Sequence, residues 1–248
     1  MELSTFFQKH DQVAIAFSGG VDSTYLLYEA INSGAKVRAY YVKSDFQPQF
    51  ELDDAKKLAT ELKADISVIK ADVLSLSAIA TNPLNRCYYC KKLIFSTIAK
   101  YALVDGYTTI IDGTNASDKE SDRPGILALR ELSVLSPLQE CGLTKSDIRR
   151  LSKDAKLRTW NKPAYACLAT RFQTEDTITK EKLKKIECAE DYLLLLGFSN
   201  FRIRVRGSLA KIQFPAIQLN ALLQNRAKIV KELKKYYDYI VLDLEVRE

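Results

Sequence analysis

The segment Ser18–Thr24, Ser-Gly-Gly-Val-Asp-Ser-Thr, has the composition of an anion-binding turn. It follows an apolar, β-branched run (Val13–Phe17) and enters an amphipathic stretch (Val21–Asn32), so backbone N–H groups converge at a positive helix terminus. Glycines let this backbone approach an anion closely, and hydroxyls add donors. The segment therefore predicts a phosphate site with these donors: Ser18, Gly19, Gly20, Ser23 and Thr24. The alternative is a turn that only caps the helix.

Two other nucleotide loops fit this segment less well. A Walker A loop would need Gly-Lys-Ser/Thr, which does not follow, and a dinucleotide loop would need Gly-x-Gly-x-x-Gly. Asp22 has two interpretations. A hard cation such as Mg²⁺ prefers carboxylate oxygens, and Asp22 could hold one beside a phosphate; otherwise it is an acid favoured at a helix start.

Cysteines form the second group with chemical potential. Cys87-x-x-Cys90 lies at the start of a strongly periodic helix, and Cys167 lies in an aperiodic segment. A closed zinc site needs four ligands, so Cys141, Cys188 or His10 would have to join Cys87, Cys90 and Cys167. A [4Fe–4S] cluster can instead be held by three thiolates with one iron open. A cluster, a zinc site and plain thiols are the alternatives. Cys141 and Cys188 are interpreted as structural.

Basic side chains form a third group. Arg202, Arg204 and Arg206 alternate along a predicted strand and so project from one face, where guanidinium forks suit phosphate and carboxylate groups. The alternative is a solvated sheet face, favoured for Arg206. Lys91 directly follows Cys90 and could hold a substrate carboxylate or stabilise a thiolate.

The elements that would position these residues alternate between strand and helix patterns up to about residue 136, which predicts a doubly wound, mostly parallel α/β sheet. The predicted strands are Val13–Phe17, Lys36–Val42, Asp65–Lys70 and Tyr107–Ile111, and the helices between them include Val21–Asn32 and Gln49–Lys63. Thr144 and Asp147 match a capping box that opens a helix through about Ala155.

After an aperiodic segment the pattern changes to a small α+β domain. It comprises a helix (Thr179–Leu196), two strands around Gly207 (Phe201–Val205 and Leu209–Phe214), another helix and a last strand (Tyr239–Leu244). We therefore expect two domains, 1–170 and 171–248.

Composition excludes several classes of protein. The 248 residues are 47% hydrophobic, which indicates a globular chain, and the formal charge of +6 favours anionic partners without requiring them. A single histidine excludes catalytic centres built on several histidines. No apolar run approaches the roughly 18 residues of a spanning helix, so we expect a cytoplasmic protein without a membrane partner.

Ser18–Ser23 resembles the SGGxDS signature of the PP-loop ATP pyrophosphatases, which cleave ATP between the α- and β-phosphates. Further motifs resemble the LarE sulfur transferases along nearly the whole chain. These motifs are Asp112–Asp118, Arg123–Gly125, Ser136–Leu138, Thr144-Lys145, Trp160–Pro163, Ala166–Arg171 and Arg202–Arg204.

The LarE resemblance implies adenylation of a pyridinium biscarboxylate mononucleotide and replacement of oxygen by sulfur, in the synthesis of a nickel-pincer nucleotide. It implies ATP, Mg²⁺ and sulfide or another sulfur donor. Cys167 would either sacrifice its sulfur or join Cys87 and Cys90 around a [4Fe–4S] cluster, and the presence of all three cysteines favours the cluster. The catalytic residues would be Cys167, Ser18, Asp22 and Lys91. ATP would lie on Ser18–Thr24, Ser44, Asp112, Gly113 and Thr114, and the acceptor on Arg171, Arg202 and Arg204.

This chain departs from the family pattern at Gln213, where an acidic residue is common, and at Gln173-Thr174-Glu175. Other acceptors therefore stay open. The rival functions are a tRNA or other small-molecule thiolase of the same superfamily and a non-catalytic nucleotide or metal sensor. The absence of an appended RNA-binding motif argues against nucleic acid. We also expect a homo-oligomer.

Overall fold

The computed structural model describes residues 2–118 and 124–247. The chain divides into two compact units. The first comprises Met1–Val73 and Asn85–Lys162, and the second comprises Leu74–Leu84 and Pro163–Glu248. The second unit thus takes a short segment from the first half of the chain. The division of function at about residue 170 stays a prediction.

The first unit contains a four-stranded parallel sheet in the order β3-β2-β1-β4. Its strands are β1 Gln12–Ala16, β2 Lys36–Lys43, β3 Ile66–Lys70 and β4 Ile110–Ile111. In the central strand β1, Val13 pairs with Val37 of β2, and Ala14 pairs with Ile110 of β4. Parallel neighbours bring the carboxyl ends of these strands to one edge, which is where the predicted nucleotide loops follow.

Helices cover both faces of this sheet. In the described part of the unit they are α1 Leu3–Lys9, α2 Val21–Asn32, α3 Gln49–Glu61, α5 Arg86–Val104, α6 Gly125–Glu131, α7 Pro137–Glu140 and α8 Lys145–Asp154, while α4 (Ser77–Ala80) belongs to the second unit. Val13 and Ile15 of β1 pack with α1, α2, α3 and α8, whereas Ala14 packs with α5 and α6. This alternation confirms the predicted doubly wound α/β fold.

Several element boundaries differ from the sequence prediction by one to three residues, and two of these differences have a clear local reason. The strand predicted over Tyr107–Ile111 is shorter, because the Tyr107 amide donates to Ala102 O at 2.8 Å and closes the end of α5 instead of joining the sheet. The helix predicted to Lys63 ends at Glu61, and Lys63 takes a left-handed φ of 54°. The capping box at Thr144 and Asp147 is confirmed.

The second unit contains a three-stranded mixed sheet in the order β5-β6-β7. Strands β5 (Arg202–Arg206) and β6 (Leu209–Gln213) form an antiparallel hairpin around Gly207, and β7 (Tyr239–Leu242) is parallel to β6. The helices of this unit include α9 Lys180–Leu195, α10 Leu219–Gln224 and α11 Arg226–Leu233. This arrangement confirms the predicted small α+β fold. None of the helices in residues 2–118 and 124–247 has the length and apolarity to cross a bilayer.

Candidate active site

The loop after β1 is built on backbone and hydroxyl contacts. Ser18 N donates to Ser23 Oγ at 3.3 Å, and the hydroxyls of Ser18 and Ser23 lie 3.1 Å apart. Gly20 N donates to Ser18 Oγ at 3.3 Å. Gly20 is the N-cap of α2 and has no side chain, so Ser18 satisfies a backbone donor that the helix leaves over. The polar groups of the turn therefore cluster at the positive end of α2.

Two features of the loop require glycine at position 19. Its φ is +71°, a left-handed conformation, and a Cβ built there would lie 3.1 Å from Cβ of Ala55 on α3. The loop therefore runs in contact with α3 in a conformation that other residues adopt only under strain. This local structure supports the predicted phosphate-binding turn.

The two carboxylate oxygens of Asp22 have different surroundings. This residue lies in the first turn of α2. Oδ2 lies 2.5 Å from Nζ of Lys145, the first residue of α8. Oδ1 is buried and has no hydrogen-bond partner among the described residues. A carboxylate oxygen held in this state beside a phosphate-type turn fits a hard cation such as Mg²⁺.

The loop after β4 approaches the same helix terminus. A Cβ at Gly113 would lie 3.0 Å from Ser23 N, so only glycine allows this close approach. The buried Asp112 accepts from Ser136 Oγ at 2.7 Å and from Thr114 Oγ1 at 2.6 Å. The loop that carries Asp112, Gly113 and Thr114 is thus rigidly held against the start of α2.

Lys91 and Ser44 lie at the same edge of the sheet with different partners. Lys91 Nζ on α5 is 3.9 Å from Asp112 Oδ2, which connects this predicted catalytic lysine to the loop after β4. Ser44 follows β2 and is buried, with both its N–H (3.1 Å) and its Oγ (2.7 Å) donating to Gln47 Oε1. The ATP contact predicted for Ser44 would therefore involve rearrangement of Gln47.

Lys162 is a feature of this site to which sequence reasoning assigned no role. Its Nζ donates to Gly19 O at 3.0 Å and to Asp54 Oδ2 at 2.6 Å, and lies 3.4 Å from Glu51 Oε1. Burial alone would raise the pKa of Asp54, but hydrogen bonds from Lys162 and Arg158 outweigh it and lower that pKa. Burial raises the pKa of Glu51, and Lys162 opposes that shift. Its place in the Trp160–Pro163 motif was the only available signal.

The cysteines belong to both units. Cys87 and Cys90 lie in the first turns of α5 in the first unit, with Cys87 exposed and Cys90 half-buried, whereas Cys167 lies in the second unit. All five cysteines are described, and none forms a disulfide. Within either unit, the described residues contain no group of three or more His, Cys, Asp or Glu side chains placed to hold a metal ion. The neighbouring Lys92 pairs with Glu131 at 2.8 Å.

In the second unit, Arg171 forms a buried ion pair. Its Nε donates to Glu190 Oε1 at 2.8 Å and its Nη2 to Glu190 Oε2 at 3.0 Å. Glu190 on α9 also accepts from Ile203 N and from Tyr165 OH. Both side chains of the pair are nearly inaccessible to solvent. This geometry favours a structural role for Arg171, and its predicted contact with the acceptor stays a prediction.

Arg202 and Arg204 share the half-buried face of β5. Arg204 Nε donates to Gln213 Oε1 at 2.8 Å, and Gln213 Nε2 donates to Asp243 Oδ2 at 2.7 Å. Gln213 therefore connects Arg204 to a carboxylate in place of supplying one. Burial lowers the pKa of Arg202 to about 10, and like charges add to that shift from Arg247, Arg171 and Arg204. Such a concentration of guanidinium charge is suited to an anion.

A parallel α/β sheet whose first strand ends in a Ser-Gly-Gly-x-Asp-Ser turn, with a second glycine loop packed on the same helix terminus, defines a PP-loop ATP pyrophosphatase. Arg123, which belongs to one of the quoted motifs, lies outside the described residues.

Comparisons with known proteins agree with this class and narrow it. The family model of the queuosine biosynthesis protein QueC matches residues 12–88. An uncharacterized protein of Synechocystis, slr1717, is 35% identical over 98% of this chain and 92% of its own length. Pyridinium-3,5-bisthiocarboxylic acid mononucleotide synthase of Lactiplantibacillus plantarum is 33% identical over 94% of this chain and 86% of its own length. The chain belongs to the LarE family of ATP-dependent sulfur transferases.

A more distant relative is the tRNA-specific 2-thiouridylase MnmA of Pseudothermotoga lettingae. It is 27% identical over 61% of this chain and 54% of its own length. This similarity is partial, and it concerns another sulfur-transferring enzyme.

Proposed function

We propose that this enzyme adenylates a carboxylate of a pyridinium biscarboxylate mononucleotide and replaces its oxygen by sulfur, in nickel-pincer nucleotide synthesis. The observation that carries the choice of acceptor is the 33% identity, over most of both chains, to the Lactiplantibacillus plantarum synthase. In the first step an acceptor carboxylate oxygen attacks the α-phosphorus of ATP. The bond from that phosphorus to the bridging oxygen breaks, and pyrophosphate leaves with the electron pair.

The loop residues have distinct roles in this step. The hydroxyls of Ser18 and Ser23 and the amides of Gly19 and Gly20 would hold pyrophosphate as its charge develops, because donors fixed in advance need no reorganisation. Asp22 would hold Mg²⁺, which supplies charge neutralisation to the phosphates. Lys91 would keep the loop after β4 in place through Asp112.

The acceptor would bind through arginines of the second unit. Arg202 and Arg204 supply forked donors of the kind that bind phosphate and carboxylate bidentately. Burial and neighbouring guanidinium groups lower the pKa of Arg202 to about 10, and this concentration of positive charge supports the proposal. Arg171 is included as a residue that shapes this region through Glu190.

For the sulfur source, we propose that thiolates of Cys87, Cys90 and Cys167 hold a [4Fe–4S] cluster. The donor set fits, because thiolates are the usual ligands of such clusters and none of these cysteines is in a disulfide. A cluster with three protein ligands would supply one iron open to sulfide. The sacrificial alternative uses Cys167 alone and assigns no role to Cys87 or Cys90.

The sulfur source is tested by anaerobic reconstitution followed by mass spectrometry after turnover. The proposal expects a broad iron–sulfur absorbance, sulfide-dependent multiple turnover and an intact Cys167. Alanine at Cys87, Cys90 or Cys167 should abolish both the absorbance and the multiple turnover, whereas alanine at Cys188 should change neither. A dehydroalanine at position 167, with wild-type activity in Cys87→Ala, would show that the sulfur comes from the protein.

The similarity to the tRNA thiouridylase motivates one rival acceptor, tRNA. Binding to a polyanion falls steeply with salt, by roughly 0.7 to 0.9 in the slope of log K against log salt per phosphate contact. A tRNA thiolase would show a slope of several such contacts, together with thiolated tRNA. We expect neither. A cytoplasmic location and a homo-oligomer complete the proposal.

A further inference from the structure

We propose that Lys162 is a positioning residue for the PP-loop: it fixes the direction of the Gly19–Gly20 peptide and thereby aims the Gly20 amide at the pyrophosphate group. The inference builds on ATP use by this family and does not depend on which molecule accepts the adenylate. The ammonium group of Lys162, which is distant in sequence but belongs to the same unit, contacts a backbone carbonyl of the loop.

The contact is well defined. Lys162 Nζ donates to Gly19 O at 3.0 Å, from a position 143 residues further along the chain. The backbone beside this lysine is held in turn by Arg149 of α8, whose Nη1 donates to Trp160 O at 2.7 Å and whose Nη2 donates to Lys162 O at 2.9 Å. The lysine is therefore anchored at its backbone and at its amino group.

The geometry of the peptide bond links this contact to the direction of the Gly20 N–H. In a planar trans peptide the C=O and the following N–H point in opposite directions. A hydrogen bond that holds Gly19 O toward Lys162 therefore turns the Gly20 N–H to the other side, where it meets Ser18 Oγ at 3.3 Å. Glycine at position 19 allows a wider range of peptide orientations than other residues do, and the contact with Lys162 favours one of them.

The charge of Lys162 is already committed to the protein. Besides Gly19 O, the amino group contacts Asp54 at 2.6 Å and Glu51 at 3.4 Å, both on α3. Two carboxylates beside the ammonium group oppose the approach of a phosphate to it. We therefore assign Lys162 to the loop backbone and not to direct binding of ATP.

The chain offers a matched control in Arg158. Its Nη2 donates to the same Asp54 carboxylate at 2.6 Å, and its Nε donates to Glu61 at 3.0 Å. Its hydrogen bonds are to acidic side chains and to the backbone carbonyl of Asp54, so its removal disturbs the same acidic group while sparing the contact to Gly19. An effect that depends on the contact with Gly19 should appear when Lys162 is replaced and not when Arg158 is replaced.

The test is calorimetric titration of Mg-pyrophosphate and, separately, AMP into the full chain as wild type, Lys162→Met, Lys162→Arg and Arg158→Met. Loss of a charge-assisted contact that aims one donor should weaken pyrophosphate binding by about tenfold or more in Lys162→Met, with AMP binding within about threefold of wild type. Lys162→Arg should recover part of the loss, and Arg158→Met should bind both ligands as wild type does. These titrations contain no acceptor, so their result is independent of the proposed substrate.

Two outcomes would overturn the proposal. One is unchanged pyrophosphate binding in Lys162→Met, and the other is an equal loss of pyrophosphate and AMP binding, which indicates general damage. If Lys162→Met fails to fold, the double variant Lys162→Met with Asp54→Asn removes one of the two carboxylates that contacted the lysine. The same selective loss of pyrophosphate binding is expected from that variant, and its absence would equally count against the proposal.

Discussion

The two regions proposed to bind anions are built from different chemical groups. In the first unit, the PP-loop presents backbone amides and hydroxyls, and the charged groups around it are paired: Asp22 with Lys145, and Lys162 with Asp54 and Glu51. In the second unit, the guanidinium groups of Arg202, Arg204 and Arg247 lie close enough to repel one another, and the buried carboxylate of Glu190 is paired with Arg171.

This difference separates two strategies for binding an anion. A backbone site is rigid and nearly neutral, so it can stabilise a charge that develops during a reaction without attracting anions from a distance. An arginine site carries net positive charge that the protein itself does not offset, so it recruits an anionic ligand. The first suits a leaving pyrophosphate, and the second suits a substrate with phosphate and carboxylate groups.

The strongest test of the second region removes its buried carboxylate. Glu190→Gln should leave the Arg171 guanidinium buried without its charged partner, which typically costs about 3–5 kcal/mol of folding free energy. Hydrogen–deuterium exchange along α9 and β5 should rise accordingly, while Glu181→Gln, an exposed position of the same helix, should leave it unchanged. Exchange as slow as in wild type would show that Glu190 does not hold the arginines together.

The corresponding test of the first region removes a hydroxyl from the loop. Ser18→Ala should slow adenylation roughly 10²- to 10³-fold, since loss of one preorganised donor costs about 2.7 to 4 kcal/mol in the transition state. Ser33→Ala, at the other end of α2, is the control. If the rate of pyrophosphate release changes by less than about threefold, the Ser18 hydroxyl only caps the helix.

Alanine at Arg202 or Arg204 should affect the acceptor and not ATP. A hydrogen bond to a charged group is worth about 1.5 to 3 kcal/mol, so each substitution should weaken acceptor binding roughly 10- to 100-fold. Arg206→Ala, at the exposed end of β5, should have little effect. Calorimetry with ATP and with the acceptor separates the cases, and weaker ATP binding with normal acceptor binding would reverse the assignment.

The smallest expected effect is a pH dependence at Asp54. Because its pKa is lowered in the folded state, its charged form contributes stability that is present above the unfolded pKa of about 3.9 and is lost as the pH falls through the folded pKa. Asp54 is partly exposed, so the contribution should be below about 1 kcal/mol. The stability difference between wild type and Asp54→Asn should therefore shrink below about pH 3.9, and a difference that grows there would contradict the account.

Local patterns were enough to predict much of the fold and part of the site. The turn at Ser18, the capping box at Thr144 and the hairpin around Gly207 each depend on residues close together in the chain, and the structure has all three. The alternation of strand and helix patterns along the chain likewise predicted helices on both faces of the sheet.

Contacts between distant residues were beyond this reasoning. Lys162 reaches Gly19 across 143 residues, and Lys145 reaches Asp22 across 123. Both lysines lie in motifs that the sequence analysis quoted, yet nothing local indicates which atom they meet. Arg171 is the opposite case, because the LarE resemblance implied an acceptor contact while the fold pairs it with a buried Glu190.

The central claim is that an acceptor carboxylate oxygen first forms a bond to the α-phosphorus of ATP. That oxygen then leaves with AMP when sulfur takes its place on the acceptor. Turnover with an acceptor labelled with ¹⁸O in its carboxylates tests this most directly, by mass spectrometry of the nucleotide product. The account predicts AMP that carries one ¹⁸O atom, formed together with pyrophosphate. ADP as the product, or AMP without the label, would contradict it.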